Sequence, residues 1–192
     1  TSMQGGAGGW PKAGQQAPAG RMLVFNEDEV YGFRRNKAHF SALTVTSWME
    51  YHLFASKKEP PLGKLQIKEP KPMGRSRTVS TPREIWSSTV PVLVRAMVLT
   101  PGTLFAAGLP DVLDEKKLND NLNDPALRAK AAEQSEAWLG RKGGVLLAVS
   151  PTNGKTVARH KLETPPVFDG LAAANNKLFI SLEDGTVMCL GK

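Results

Sequence analysis

Oxygen ligands are the densest chemical resource of this chain. Asp111, Asp114, Asp120 and Asp124 stand close together, interleaved with Asn119, Asn121 and Asn123. Carboxylates and amides at such spacing suit a hard cation such as calcium, but an EF-hand loop needs its ligands at fixed steps, a Gly at the sixth position and a closing Glu. No register of this stretch supplies them. The stretch is therefore expected to be a solvated insertion rather than a metal site. His39, His52 and His160 sit in unrelated contexts without ligand spacing and are expected at surfaces or strand edges. The run Gly5-Gly6-Ala7-Gly8-Gly9 follows no strand, so it is not a phosphate cradle, and the chain contains no G-x-S-x-G elbow, P-loop, H-E-x-x-H or dinucleotide fingerprint. A lone Cys189 excludes an intramolecular disulfide and any multi-cysteine metal site. Its place in an apolar strand pattern predicts a buried, inert thiol.

Charge offers a second chemistry. The net charge is +7, which invites a nucleic-acid reading. Most of it is concentrated in one stretch, where Lys57, Lys58, Lys64, Lys68, Lys71, Arg75, Arg77 and Arg83 outnumber Glu59, Glu69 and Glu84. The same stretch holds Pro60, Pro61, Pro70, Pro72 and Pro82 and reaches its first aromatic only at Trp86. Single-strand binding wants aromatic platforms as well as cations. A solvated basic, proline-rich excursion over residues 57–84 is the expectation. Anionic contact through Lys64, Lys68, Lys71, Arg75 and Arg77, with a nucleic acid or another anionic polymer, is the alternative.

The elements that must carry these residues are short strands. The last quarter of the chain reads as Val145–Val149, Thr156–His160, Phe168–Ala174, Lys177–Leu182 and Thr186–Leu190, separated by turn signals at Ser150–Lys155 and Glu183–Gly185. Gly185 is expected at positive φ in its hairpin turn. Leu146–Val149 and Leu171–Ala174 are apolar at successive positions, so both faces of those strands are expected to be buried, as in sheets stacked like propeller blades. Pro91–Leu99 with Thr103–Ala106 echoes Pro165–Ala173 with Lys177–Ile180, and Arg21–Phe33 echoes Leu178–Met188. Such self-similarity announces a stacked repeat. Asp124 and Pro125 make an N-cap and first turn for a helix, and Gly140 makes its stop. The organisation read from the chain is a flexible lead-in over residues 1–20, then blades over 21–192, interrupted by the basic excursion and by a helical insertion over 109–142.

The segment Ala148-Val149-Ser150-Pro151-Thr152-Asn153-Gly154-Lys155 resembles the A-x-D-x-x-T-G-K-x-x-W signature of the PQQ-like, or quinoprotein-type, β-propeller repeat. Lys177–Ser181 followed by Asp184-Gly185-Thr186-Val187 is similar to the middle hairpin of the same repeat. Ala148, Gly154, Lys155, Asp184 and Gly185 are the positions that carry the resemblance. Ser150 stands where the signature has Asp, Asn153 where it has Thr, and Ala158 where it has Trp. In the family that Trp docks one blade on the next, so here the contact must be weaker or made otherwise. The resemblance implies an all-β fold, a partial propeller of four-stranded antiparallel blades, into which the capping residues put a helix near 124–139.

Function follows the resemblance in two directions. Exported bacterial proteins of this type include non-catalytic envelope scaffolds such as the outer-membrane assembly lipoprotein, which implies a periplasmic or cell-surface binding module needing no cofactor. PQQ-dependent dehydrogenases of the same family use a complete eight-bladed ring, calcium, quinone and often a pair of adjacent cysteines, which lone Cys189 cannot supply. The scaffold reading is preferred. Thr1–Gly6 has neither the basic head nor the apolar core of a signal peptide, and a chain opening without Met is expected to be a piece of something longer. Two to three blades do not close a ring. The first blade is expected to lack an inner strand and the last its outer one. Leu178, Ile180, Val187 and Cys189 should then seek cover from further blades, a second copy or a partner chain.

Overall fold

Alternating apolar residues punctuated by Gly, Asn and Asp fold into eleven strands in the computed structural model, which describes residues 20–35, 51–58 and 84–191. The strands are β1 (Met22–Phe25), β2 (Glu29–Arg35), β3 (Tyr51–Lys57), β4 (Glu84–Thr89), β5 (Val92–Leu99), β6 (Leu104–Pro110), β7 (Gly144–Val149), β8 (Thr156–Leu162), β9 (Pro166–Ala174), β10 (Lys177–Leu182) and β11 (Val187–Leu190). All pairings are antiparallel between neighbours in sequence, giving sheets β1-β2-β3-β4, β5-β6-β7-β8 and β9-β10-β11. The fold is all-β, a partial propeller of stacked sheets. Their first strands line up, with β5 packed beside β1 on one side and β9 on the other.

The stack places the second sheet between two apolar cores. On one side Tyr31, Phe33, Leu53 and Ala55 of the first sheet meet Val94, Leu104, Ala106, Val145, Leu147 and Val149 of the second. On the other, Ala107, Leu146 and Leu162 meet Leu178, Ile180 and Leu182 of the third. This double burial explains why β7 reads as an unbroken apolar run, as expected for a strand covered on both faces.

Corresponding rows run across the sheets. In the first sheet the row is Val24, Tyr31, Ala55 and Trp86; in the second it is Val98, Phe105, Ala148 and Ala158. The third sheet continues the series with Ala172, Phe179 and Cys189. Each row has an aromatic ring on the second strand and a small residue on the third. Repeat position here is thus a property of pairing register rather than of residue identity alone.

Several expectations are corrected. The first sheet has both an inner strand and an outer one. β3 and β4 pair with each other across the long connection of residues 58–83 and complete the sheet. The segment Leu43–Thr46, the excursion between residues 59 and 83, and the lead-in before Gly20 lie outside the described residues. Arg21–Phe33 spans the first and second strands of its sheet, whereas Leu178–Met188 spans the second and third, so that echo is one strand out of step. Two apolar strands around a polar turn look alike wherever they fall. Both faces of Leu171–Ala174 were expected to be buried, yet Ala172–Ala174 of β9 are exposed. Cys189 is also exposed, because β11 shows one face to the second sheet, through Met188 and Leu190, and the other outward.

The insertion between β6 and β7 contains two helices, α1 (Glu115–Asp120) and α2 (Pro125–Trp138). Only the second was expected. Asp124 accepts from the backbone of Ala126 and Leu127, Pro125 opens the helix, and Gly140 follows its end at φ 77°, as the capping residues required. Asp114 caps α1 by accepting from Lys117 N at 3.0 Å, which also draws its carboxyl below the ordinary range. The oxygen-rich string thus spends two of its carboxylates on helix starts. Gln134, almost fully buried, fastens α2 to the sheet: its Oε1 accepts from Val112 N at 2.7 Å and Leu113 N at 3.2 Å, while its Nε2 donates to Pro110 O at 3.1 Å.

Candidate functional site

The motif residues fall into two turns at opposite ends of the strands. Ala148 lies near the end of β7, Gly154 and Lys155 in the β7–β8 turn that follows, and Asp184 and Gly185 in the β10–β11 turn. The structure does not bring them together as one site. Lys64, Lys68, Lys71, Arg75 and Arg77 lie outside the described residues.

The β7–β8 turn closes on itself through Ser150 N to Lys155 O at 2.8 Å, Gly154 N to Ser150 O at 2.9 Å, and Lys155 N to Asn153 Oδ1 at 3.0 Å. Asn153 thus holds the turn as an Asx acceptor. This geometry puts Gly154 at φ 71°, buried, with no room for a side chain: a Cβ there would meet the Trp86 ring at 2.5 Å and Ser88 Oγ at 2.8 Å. Trp86 arrives from β4 of the first sheet and donates its indole Nε1–H to Pro151 O at 2.7 Å. Its ring centroid lies 6.2 Å from that of Tyr31. One tryptophan therefore locks the outer strand of the first sheet onto the turn of the second.

Nothing in the sequence around Trp86 announced this role, and it was missed there. Pairing register supplies the missing signal, since Trp86 opposes Ala55 as Ala158 opposes Ala148. At the next boundary the equivalent residue is alanine, and an open apolar cleft of about 730 Å³ lies between the second and third sheets. Phe105, Leu146, Leu178 and Leu190 form its apolar walls, with Asn175, Asn176 and Lys177 at its rim. A polar contact across this boundary comes from Arg95. It sits at the β5–β6 bulge, donates to Pro166 O at 3.5 Å and pairs with Glu183 of the third sheet.

The β10–β11 turn is built around Asp184. Its Oδ1 accepts from Thr186 Oγ1 at 2.7 Å and Thr186 N at 2.9 Å, and its Oδ2 accepts from Thr164 Oγ1 at 3.0 Å. The Thr186 hydroxyl bond is the main reason its carboxyl sits below the ordinary range. Gly185 follows at φ 85° with nothing within 4 Å of the point where a Cβ would stand, so backbone conformation alone selects glycine there.

Among the described residues, titratable groups are few in the interior. Burial pushes the Asp111 carboxyl up to about 6. Burial, followed by the hydrogen bond to Glu29, raises Tyr31, and the same bond lowers Glu29. Among the described residues no group of three or more His, Cys, Asp or Glu is placed to hold a metal ion, and no helix is long and apolar enough to cross a membrane. No protein-family model matches the chain, and no curated protein matches it.

Proposed function

We propose that the chain is a run of PQQ-like propeller blades serving as a non-catalytic binding or scaffolding module of a larger exported bacterial protein, in the periplasm or at the cell surface. The observation that carries this reading is the Trp86 dock. A tryptophan on the outer strand of one sheet packs on the Gly of the Thr152-Asn153-Gly154-Lys155 turn of the next, the role that the repeat signature assigns to its Trp. Thr81 and Trp86 stand at the spacing of the Thr and Trp that end that signature, with Pro82 where it has Gly and Arg83 where it has Lys. The chemistry of the turns supports binding over catalysis, because Asp184 and Asn153 are both engaged in holding backbone, as is Gln134 of α2.

Cofactor chemistry tests the proposal. Adding pyrroloquinoline quinone and calcium to the purified chain should produce no protein-bound quinone absorption band and no dye reduction with alcohols or aldose sugars. A bound quinone with turnover would replace the scaffold reading by the dehydrogenase one. Fractionation of the native host should place the protein in its periplasmic or surface fraction, and recovery from the cytosol would overturn export.

A further inference from the structure

The connection between β6 and β7 is far longer than their pairing needs. The third sheet joins the same two strand positions through Glu183–Thr186 alone, whereas the second inserts residues 111–143. Connections of that length in a compact fold are usually functional. What this one builds is a wall. Gln134 ties α2 to Pro110 and Val112, and α2 and β8 then flank a cleft of about 190 Å³. Half-buried Val112 and buried Ala137 and Val145 give it an apolar lining, while Lys142, Arg159, Lys161 and Glu133 give it charge. Every residue that lines it belongs to the second sheet or to the insertion that sheet carries, so no neighbouring sheet shapes it.

The charges do not balance. Glu133 is matched by Lys142 at 3.8 Å. Lys161 reaches Glu163 at 3.5 Å with both side chains largely exposed, and so loose a pair is worth little. Among the described residues the Arg159 side chain has no ion-pair or hydrogen-bond partner. Arg159 and Lys161 share one face of β8, opposite Leu147 and Val145 of β7. A guanidinium is thus left to receive a carboxylate in its planar fork. β8 is also the outer strand of its sheet, with its far edge unpaired among the described residues and no acidic residue along its length. Antiparallel pairing of two copies about His160 would set Arg159 of one opposite Lys161 of the other, and like charges in that position repel. An acidic strand meets no such obstacle.

We infer that β8 is a docking edge for an acidic, extended segment of a partner protein, which pairs with the strand and seats a carboxylate side chain in the cleft between β8 and α2. The inference rests on the binding-module reading and names the chemistry of its partner. The size of the cleft argues for a side chain over a free ligand, since small-molecule sites begin at roughly 300 Å³. Strand addition draws its affinity from main-chain hydrogen bonds and its specificity from pockets that take alternate side chains. The free edge and the cationic cleft beside it offer both.

Fluorescence anisotropy with a labelled peptide that alternates glutamate and threonine tests this on the 192-residue chain. Binding should saturate, and should weaken about tenfold or more when the peptide backbone is N-methylated, which keeps its charge and removes its amide donors. It should weaken as much in the double variant Arg159→Glu/Lys161→Glu. Hydrogen exchange on the wild-type chain should slow, on adding peptide, at the β8 amides that point away from β7. That readout decides alone if the variant does not fold. Absent binding, equal binding of the N-methylated peptide, unchanged exchange in β8, or full affinity in a folded double variant would each overturn the inference. An oligothymidylate of equal charge that binds as tightly, and is lost in the same variant, would overturn it in favour of a general anionic-polymer surface. The quinone and fractionation tests read the scaffold proposal separately, so the two failures are distinguishable.

Discussion

Removing the indole of Trp86 should loosen the boundary between the first two sheets by an amount that can be worked out contact by contact. Truncation of a fully buried Trp to Ala costs about 3–5 kcal/mol. Trp86 is half-buried, so Trp86→Ala should cost about 2–3 kcal/mol. Trp86→Phe keeps most of the ring and loses the donor to Pro151 O, isolating a hydrogen bond worth about 1 kcal/mol. Gly154→Ala adds two penalties, strain at φ 71° and collision of Cβ with the ring at 2.5 Å. Strain of about 1–2 kcal/mol remains whatever stands at position 86, but the collision vanishes once the indole is gone. The double variant Trp86→Ala/Gly154→Ala should therefore be more stable than the sum of the singles by about 1–2 kcal/mol, a coupling expected only for residues in contact. Urea melts followed by far-ultraviolet circular dichroism avoid the loss of tryptophan signal. Simple additivity within about 0.5 kcal/mol would refute the dock as a packed contact.

Three further outcomes are expected. Gly185→Val should cost about 1–2 kcal/mol through backbone strain alone, because no neighbour stands near its Cβ position; superimposable melts would contradict the turn geometry. Gln134→Leu should leave Val112 N and Leu113 N without their side-chain acceptor and cost about 2–4 kcal/mol, with limited proteolysis cutting α2 first; unchanged cleavage would show that the helix is held by something else. Asp111, raised to about 6 when folded against an ordinary value of 3.8, binds its proton more tightly folded than unfolded. Its contribution to stability is thus fully present below about pH 4 and lost as pH rises through about 6. Asp111→Asn should flatten that segment of the stability profile and gain about 1–2 kcal/mol at pH 7, a figure lowered for partial solvation. An unaltered profile would contradict it.

Turn chemistry was the most legible part of the sequence, because it is local. Asp124-Pro125 fixed where α2 begins, and Gly185 and Gly154 both adopt the positive φ expected of glycines in such turns. Strand existence was legible for the same reason. What lay beyond reach depended on pairing across long connections. β3 and β4 meet only after residues 58–83, so the four strands of the first sheet could not be counted by reading along the chain. Cys189 shows the second limit: four residues of β11 are too few to reveal which alternate face turns outward. Trp86 shows the third, since a docking residue gains meaning only from the turn it lands on, and that turn is 65 positions away. Arg95 and Glu183, joined across two sheets, carried no local signal at all.

The unequal connections between strands also imply an order of events during folding. β9, β10 and β11 are joined only by Asn175-Asn176 and Glu183–Thr186, with both asparagines already in the left-handed conformation of a tight hairpin. β7 and β8 need only Ser150–Lys155, whereas β3 and β4 must close residues 58–83, about two doublings of loop length and so about 1.2 kcal/mol more in closure entropy. The carboxy-terminal sheet therefore has the least to overcome and is the natural nucleus. The first sheet has the longest connection to close, and the turn that Trp86 grips adds to its stability once the second sheet is in place. During synthesis this order runs against the ribosome's. The amino-terminal strands emerge first, before the sheet against which they pack.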